Sequence, residues 1–309
     1  MKVLIPADYE IITNQALTDY EGADDMSIPV WDAGSAYNLG DRVRRMCAAD
    51  NSAINIAEIE YVCEARTNID AGADPAVNTL LWQRLRASAP YLAFDKHADT
   101  SSLFNENAVL EISFSKAEAF YSLMTGEFLI EALRSDGSAA WSENITVEPY
   151  AMTETVDWYS YFFTKFVPAE THGVFRETPS DFDMNLRFTS LRDKSRIGRI
   201  ATGTTYSIGG TRLGASAGII DYSVKETDES GETYLKQRRF KKTSGFSVSI
   251  PTSEFSAIYS ILASLRAKPT VWISSDVEAL QIYGFYKDFS QVYSLHTVSE
   301  CSLEIEGLI

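Results

Sequence analysis

The sequence predicts a mainly β, multidomain protein built from antiparallel strands, with one main helix near its C-terminal end. Three observations carry that expectation. Aromatic residues make up 12 % of the 309 residues, with 16 Tyr and 16 Phe, and such side chains favour strands. Short apolar runs of strand length recur between turn residues from 103 to 202, whereas a helical period occurs at one place only. Phe182, Met184, Leu186 and Phe188 alternate with Asp183, Asn185 and Arg187, a period of two with one wet face.

Taken in order, residues 1–27 mix apolar pieces with the acidic stretch Asp19–Asp25. They read as an N-terminal arm that orders when it docks on a neighbour. Residues 28–88 read as a small aromatic-rich β module. Its Gly40-Asp41 pair is a turn, glycine supplying a positive φ without steric cost. Ala48–Glu60 is longer than a tight hairpin needs and reads as an insertion. Ala87–Thr100, with Ser, Pro and small residues, reads as a connector.

Residues 89–203 read as an antiparallel, jelly-roll-like β-sandwich. Its runs are Val109–Phe114, Phe128–Leu133, Asn144–Val147, Trp158–Phe163 and the alternating stretch ending at Phe188, with turns at Ser135–Ser138 and Thr178–Asp181. Residues 204–309 read as an α+β domain. Its strands are Gly218–Val224, Thr233–Phe240, Gly245–Ile250, Val271–Ile273, Leu280–Phe289 and Ser302–Glu306, with a turn at Asp228–Gly231. Ser253–Ala267 is the helix: Phe255, Ile258, Leu262 and Leu265 share a face, Thr252 or Ser253 caps it, and Lys268-Pro269 stops it.

The order Trp31, Tyr37-Asn38-Leu39-Gly40-Asp41-Arg42-Val43, Tyr61-Val62-Cys63 and Trp82 resembles the small carbohydrate-binding modules of bacterial chitinases. Modules of that kind also occur inside tail proteins of bacteriophages. The resemblance covers about a fifth of the chain. It implies a compact antiparallel unit in which Trp31, Tyr37, Tyr61 or Trp82 stacks a ring face on a pyranose. The same four rings are also the natural core of a unit this small. A second stretch, Gly214–Ser223 with Tyr283–Phe289 and Cys301–Leu308, is similar to tail-associated virion proteins of tailed phages. That resemblance implies a structural role without a chemical signature.

The net charge of −16 opposes nucleic-acid phosphate, and the one basic run, Lys236–Lys242, reads as a face of a hairpin strand. Met1–Pro6 is too short an apolar run for a secretory signal, and no segment reaches membrane-span length. Cys47, Cys63 and Cys301 form no CxxC and suit a cytosolic folding compartment.

Chemistry is sparse. Gly198 and Gly203 have the outer spacing of a phosphate loop, but Thr204-Thr205 follows where a lysine is needed. Gly209-Gly210-x-x-x-Gly214 lacks the dinucleotide-binding spacing and reads as a turn. His97, His172 and His296 are scattered, which argues against zinc. Glu111 and Glu131 sit on apolar strands and form a conceivable glycosidase pair, with ion pairing the plainer reading. Asp221, Asp228 and Glu229 lack the spacing of calcium loops.

The resulting expectation is a non-enzymatic structural component of a phage virion, made in the bacterial host cytoplasm and assembled in the tail tip or baseplate. No cofactor and no metal are expected. Its expected partners are other virion tail proteins, further copies in a homo-oligomeric ring, and host surface glycan through a peripheral aromatic module. A host-glycan-recognition, receptor-binding protein is the alternative, and a polysaccharide-degrading enzyme the third class.

Overall fold

The computed structural model describes residues 1–17, 19–20, 23–49, 56–95, 97, 100–114, 117–147, 172–179, 184–227, 233–236, 238–274, 280–293 and 297–308. The protein is mainly β, as the sequence predicts, and its strand ladders are antiparallel. In chain order the strands are β1 (Lys2–Pro6), β2 (Tyr9–Asn14), β3 (Asp19–Tyr20), β4 (Ala23–Asp24), β5 (Arg42–Ala48), β6 (Glu58–Ala65), β7 (Trp82–Ala87), β8 (Ser102–Phe104), β9 (Val109–Phe114), β10 (Ala119–Leu133) and β11 (Ala139–Val147). They continue with β12 (His172–Glu177), β13 (Met184–Ser190), β14 (Ser195–Ser207), β15 (Gly210–Thr211), β16 (Ser216–Asp221), β17 (Val224–Thr227), β18 (Thr233–Lys236), β19 (Phe240–Pro251), β20 (Thr270–Ile273), β21 (Gln281–Val292) and β22 (Val298–Gly307). The main helix, α1, is Phe255–Ser264. The chain divides into two compact units: Ala7–Thr202, and Met1–Pro6 with Gly203–Ile309.

The unit 7–202 is organised by the 15-residue strand β10. Its first half, Ala119–Met124, pairs with β12, and its second half pairs with β11 on one edge and β13 on the other. The change of partners falls at Gly126, whose φ of +107° is open to glycine alone at little cost. A Cβ there would also lie 2.5 Å from Ser195 Oγ. Long strands that bend in this way pass from one sheet of a sandwich to the other. Beyond β13 the sheet continues through β9 to β2.

Leu110, Ile112 and Phe114 alternate inward along β9, and Leu186 and Phe188 do so along β13. This is the period of two that the sequence shows; Phe182 lies outside the described residues. Phe120 meets Phe188 edge to face at 5.8 Å and Phe104 meets Phe128 at 6.3 Å, so the core is tied by ring contacts as well as by apolar burial. The expected strand Trp158–Phe163 lies outside the described residues.

The three-stranded sheet β5–β6–β7 belongs to this same unit, and its Val43, Cys47, Ile59 and Trp82 join the same buried cluster. The expected connector after it is not a linker. Ala89–Phe94 is a 3-10 helix in which Ala89, Pro90, Leu92, Ala93 and Phe94 are buried, because four of those side chains are apolar enough to serve as core. Asn14 Nδ2 and Ser102 Oγ both donate to the Pro90 carbonyl, at 2.8 and 2.9 Å.

In the other unit the strand order is β19-β22-β21-β20-β1-β14, with β16 and β15 one after the other along the outer edge of β19, at 240–245 and 248–249. The expectation of an N-terminal arm that orders on a neighbour is corrected here for residues 2–6. Residues 2–6 form a strand paired on both sides, Val3 standing opposite Tyr206 and Trp272. Val3 and Leu4 are fully buried, which their apolar side chains require once the strand is central. Residues 9–14 also enter a sheet, alongside β9.

The expected returning strand and third strand, 233–240 and 245–250, fall differently. Thr233–Lys236 is β18, and β19 runs unbroken from Phe240 to Pro251, pairing first with β16 and then also with β22. Helix α1 covers this sheet with Ile258 and Leu262, which join Phe246, Val248 and Trp272 in one apolar cluster. It is shorter than 253–267. Thr252–Glu254 forms a 3-10 turn before it, and no side chain caps its start. Ala267 takes a left-handed φ of 59° ahead of Lys268-Pro269, which ends the segment.

Candidate functional site

The first candidate is the aromatic module. Its turn forms as the sequence predicts: Gly40 has a φ of +89°, and Asp41 Oδ2 accepts from the Asn38 N–H at 2.7 Å. Strands β5 and β6 pair from Arg42–Glu64 to Ala48–Glu58, so part of the expected insertion is ladder and residues 50–55 lie outside the described ones.

The structure does not treat the four rings alike. Trp82 is 1 % exposed, and its Nε1 donates to the Ala73 carbonyl at 2.8 Å. Tyr61 is buried as well, with the Arg84 guanidinium 5.2 Å from its ring centre. Neither offers a ring face to a sugar, which corrects the stacking role for these two residues: a small sheet needs its largest side chains inside. Tyr37 is half-buried, edge-on to Trp82 at 5.1 Å. Its hydroxyl accepts from the Asp32 N–H at 2.8 Å, folding the 32–37 loop onto the ring.

Trp31 is also half-buried, and one face is already occupied. The Arg45 guanidinium lies 4.8 Å from its ring centre and makes two hydrogen bonds to Asp74, at 3.0 and 2.7 Å. The Arg45 bond holds the Asp74 carboxyl below its ordinary range. Arg45 and Asp74 carry no motif of their own, and sequence reading passed over them. Leu39, Val77 and Leu80 are exposed apolar residues in the same segment.

A second residue pair escaped the sequence. Asp25 is completely buried and accepts from Arg86 through both oxygens and from the Ala89 N–H at 2.7 Å. It pins the 3-10 turn Asp25–Ser27 against β7.

No carboxylate pair of glycosidase type forms from Glu111 and Glu131. β13 lies between their strands, and Arg187 stands opposite each of them in register. Glu111 is bound to Arg187 at 3.0 Å and to Asn185 at 2.9 Å. Asp221 pairs with Lys225 at 3.2 Å; the Ser223 hydrogen bonds, and then Lys225, bring its carboxyl down to about 2. Asp228, Glu229 and His296 lie outside the described residues. Gly198 and Gly203 lie within the strand β14, not in a loop. Among the described residues no group of three His, Cys, Asp or Glu is placed to hold a metal, and no helix is long and apolar enough to cross a membrane.

The second candidate is a ribbon. Strand β16 pairs with the start of β19, and β17 pairs with β18 beyond them. The Tyr222 N–H to Arg239 carbonyl bond (3.3 Å) and the Arg238 N–H to Ser223 Oγ bond (3.0 Å) join the two pieces. Every residue of β16 and of β18 is exposed. Ile219 and Ile220 point to opposite faces, since neighbours on a strand alternate, and both are exposed. Tyr222 is exposed too, and Leu235 is 73 % exposed. Of the basic run, Lys236 ends β18 and Lys241 and Lys242 lie on β19, with Lys241 bound to Glu306 at 2.8 Å.

No protein-family model matches the sequence, and no curated protein matches it.

Proposed function

We propose that the chain is a non-enzymatic structural subunit of a tailed-phage particle, in the tail tip or baseplate, that assembles with other copies of itself and with other tail proteins. The observation that supports this reading most is the exposed ribbon made by β16 with the start of β19 and by β17 with β18. Two-stranded ribbons are marginal in water by themselves, and apolar side chains on both faces of one suit a strand that is covered in an assembly. The virion setting rests on the resemblance of the segments 214–223, 283–289 and 301–308 to tail-associated proteins. Antibody labelling of purified particles, or co-purification of the chain with tail components from a phage lysate, tests it. Absence of the chain from intact particles overturns the reading.

A second reading, host-glycan recognition, draws on the half-buried Trp31 and Tyr37. The cation already stacked on Trp31 weighs against it, since a sugar would have to use the opposite face. Retention on a host-glycan array that Trp31→Ala abolishes, with the melting curve unchanged, would establish it.

A further inference from the structure

We draw no further inference here: the strongest candidate, the surface ribbon made by β16 with the start of β19 and by β17 with β18, leaves Ile219 and Leu235 exposed, and nothing in the structure shows what covers them.

Discussion

The Arg45 guanidinium lies 4.8 Å from the centre of the Trp31 ring and is held there by two hydrogen bonds to Asp74. One face of the tryptophan is thus covered by the protein's own cation. Trp82, with its Nε1 bonded to Ala73, is wholly internal. Trp82→Ala is expected to cost about 3–5 kcal/mol, and Trp31→Ala about 1 kcal/mol, the scale of a cation–π contact. Urea denaturation followed by fluorescence of the remaining tryptophans measures both. The Arg45–Asp74 bond stabilises the folded state above the ordinary carboxylate range, where Asp74 is ionised in folded and unfolded chains alike. That contribution is lost as pH falls through the lowered carboxyl value. Asp74→Asn is expected to flatten the acid limb of the stability profile.

Asp25 is expected to be the most sensitive charged position in its unit. Removing its carboxylate leaves the Arg86 guanidinium and the Ala89 N–H without their shared acceptor. Asp25→Ala is expected to cost about 3 kcal/mol, whereas Arg42→Ala, whose Glu64 partner is at the surface, is expected to cost less than about 1 kcal/mol. Thermal melts of the two variants side by side check the contrast.

Gly126→Ala is expected to destabilise by more than about 1 kcal/mol. The φ of +107° strains any L side chain, and the added carbon would collide with Ser195. A lowered denaturation midpoint with an unchanged slope is the expected result. Gly137→Ala, also at positive φ but with open space around it, separates the two causes, since it tests backbone strain alone.

Burial pushes the Cys301 thiol up to about 11 from an ordinary 9.0. The sign follows from linkage. The unfolded thiol ionises first, so the stability it contributes is complete below pH 9 and is lost between about 9 and 11. Cys301→Ser is expected to reduce that alkaline loss. Cys301 is also expected to resist thiol reagents at neutral pH until urea opens the fold, which mass spectrometry of labelled peptides reads directly.

Much of the architecture was legible because it depends on periods and breakers. The run Val109–Phe114 is a strand with those bounds, Ser135–Ser138 is a turn with Gly137 at positive φ, and Phe255, Ile258 and Leu262 face the sheet from one helix. What could not be read depends on distant partners. Val3, Leu4 and Ile5 are too few to show a period, and only pairing with residues 204–206 and 271–272 makes them a central strand. Ala89–Phe94 has linker composition, yet it is core, because Leu92, Ala93 and Phe94 join the apolar cluster of the unit. The ribbon was visible as strands and a basic run. That its Ile219 and Leu235 would face water was not, since an apolar residue in a strand pattern ordinarily signals burial.

The placement of β1 also sets an order of events during synthesis. Residues 2–6 leave the ribosome well before their neighbours on either side, near 205 and 272. The nascent segment therefore waits unpaired until those neighbours are made, and the stretch 7–202 is free to collapse before its sheet can close. Such late, long-range closure is slow. It makes Val3, Leu4 and Ile5 the portion of this protein most in need of protection from stray strand pairing while the rest is being produced.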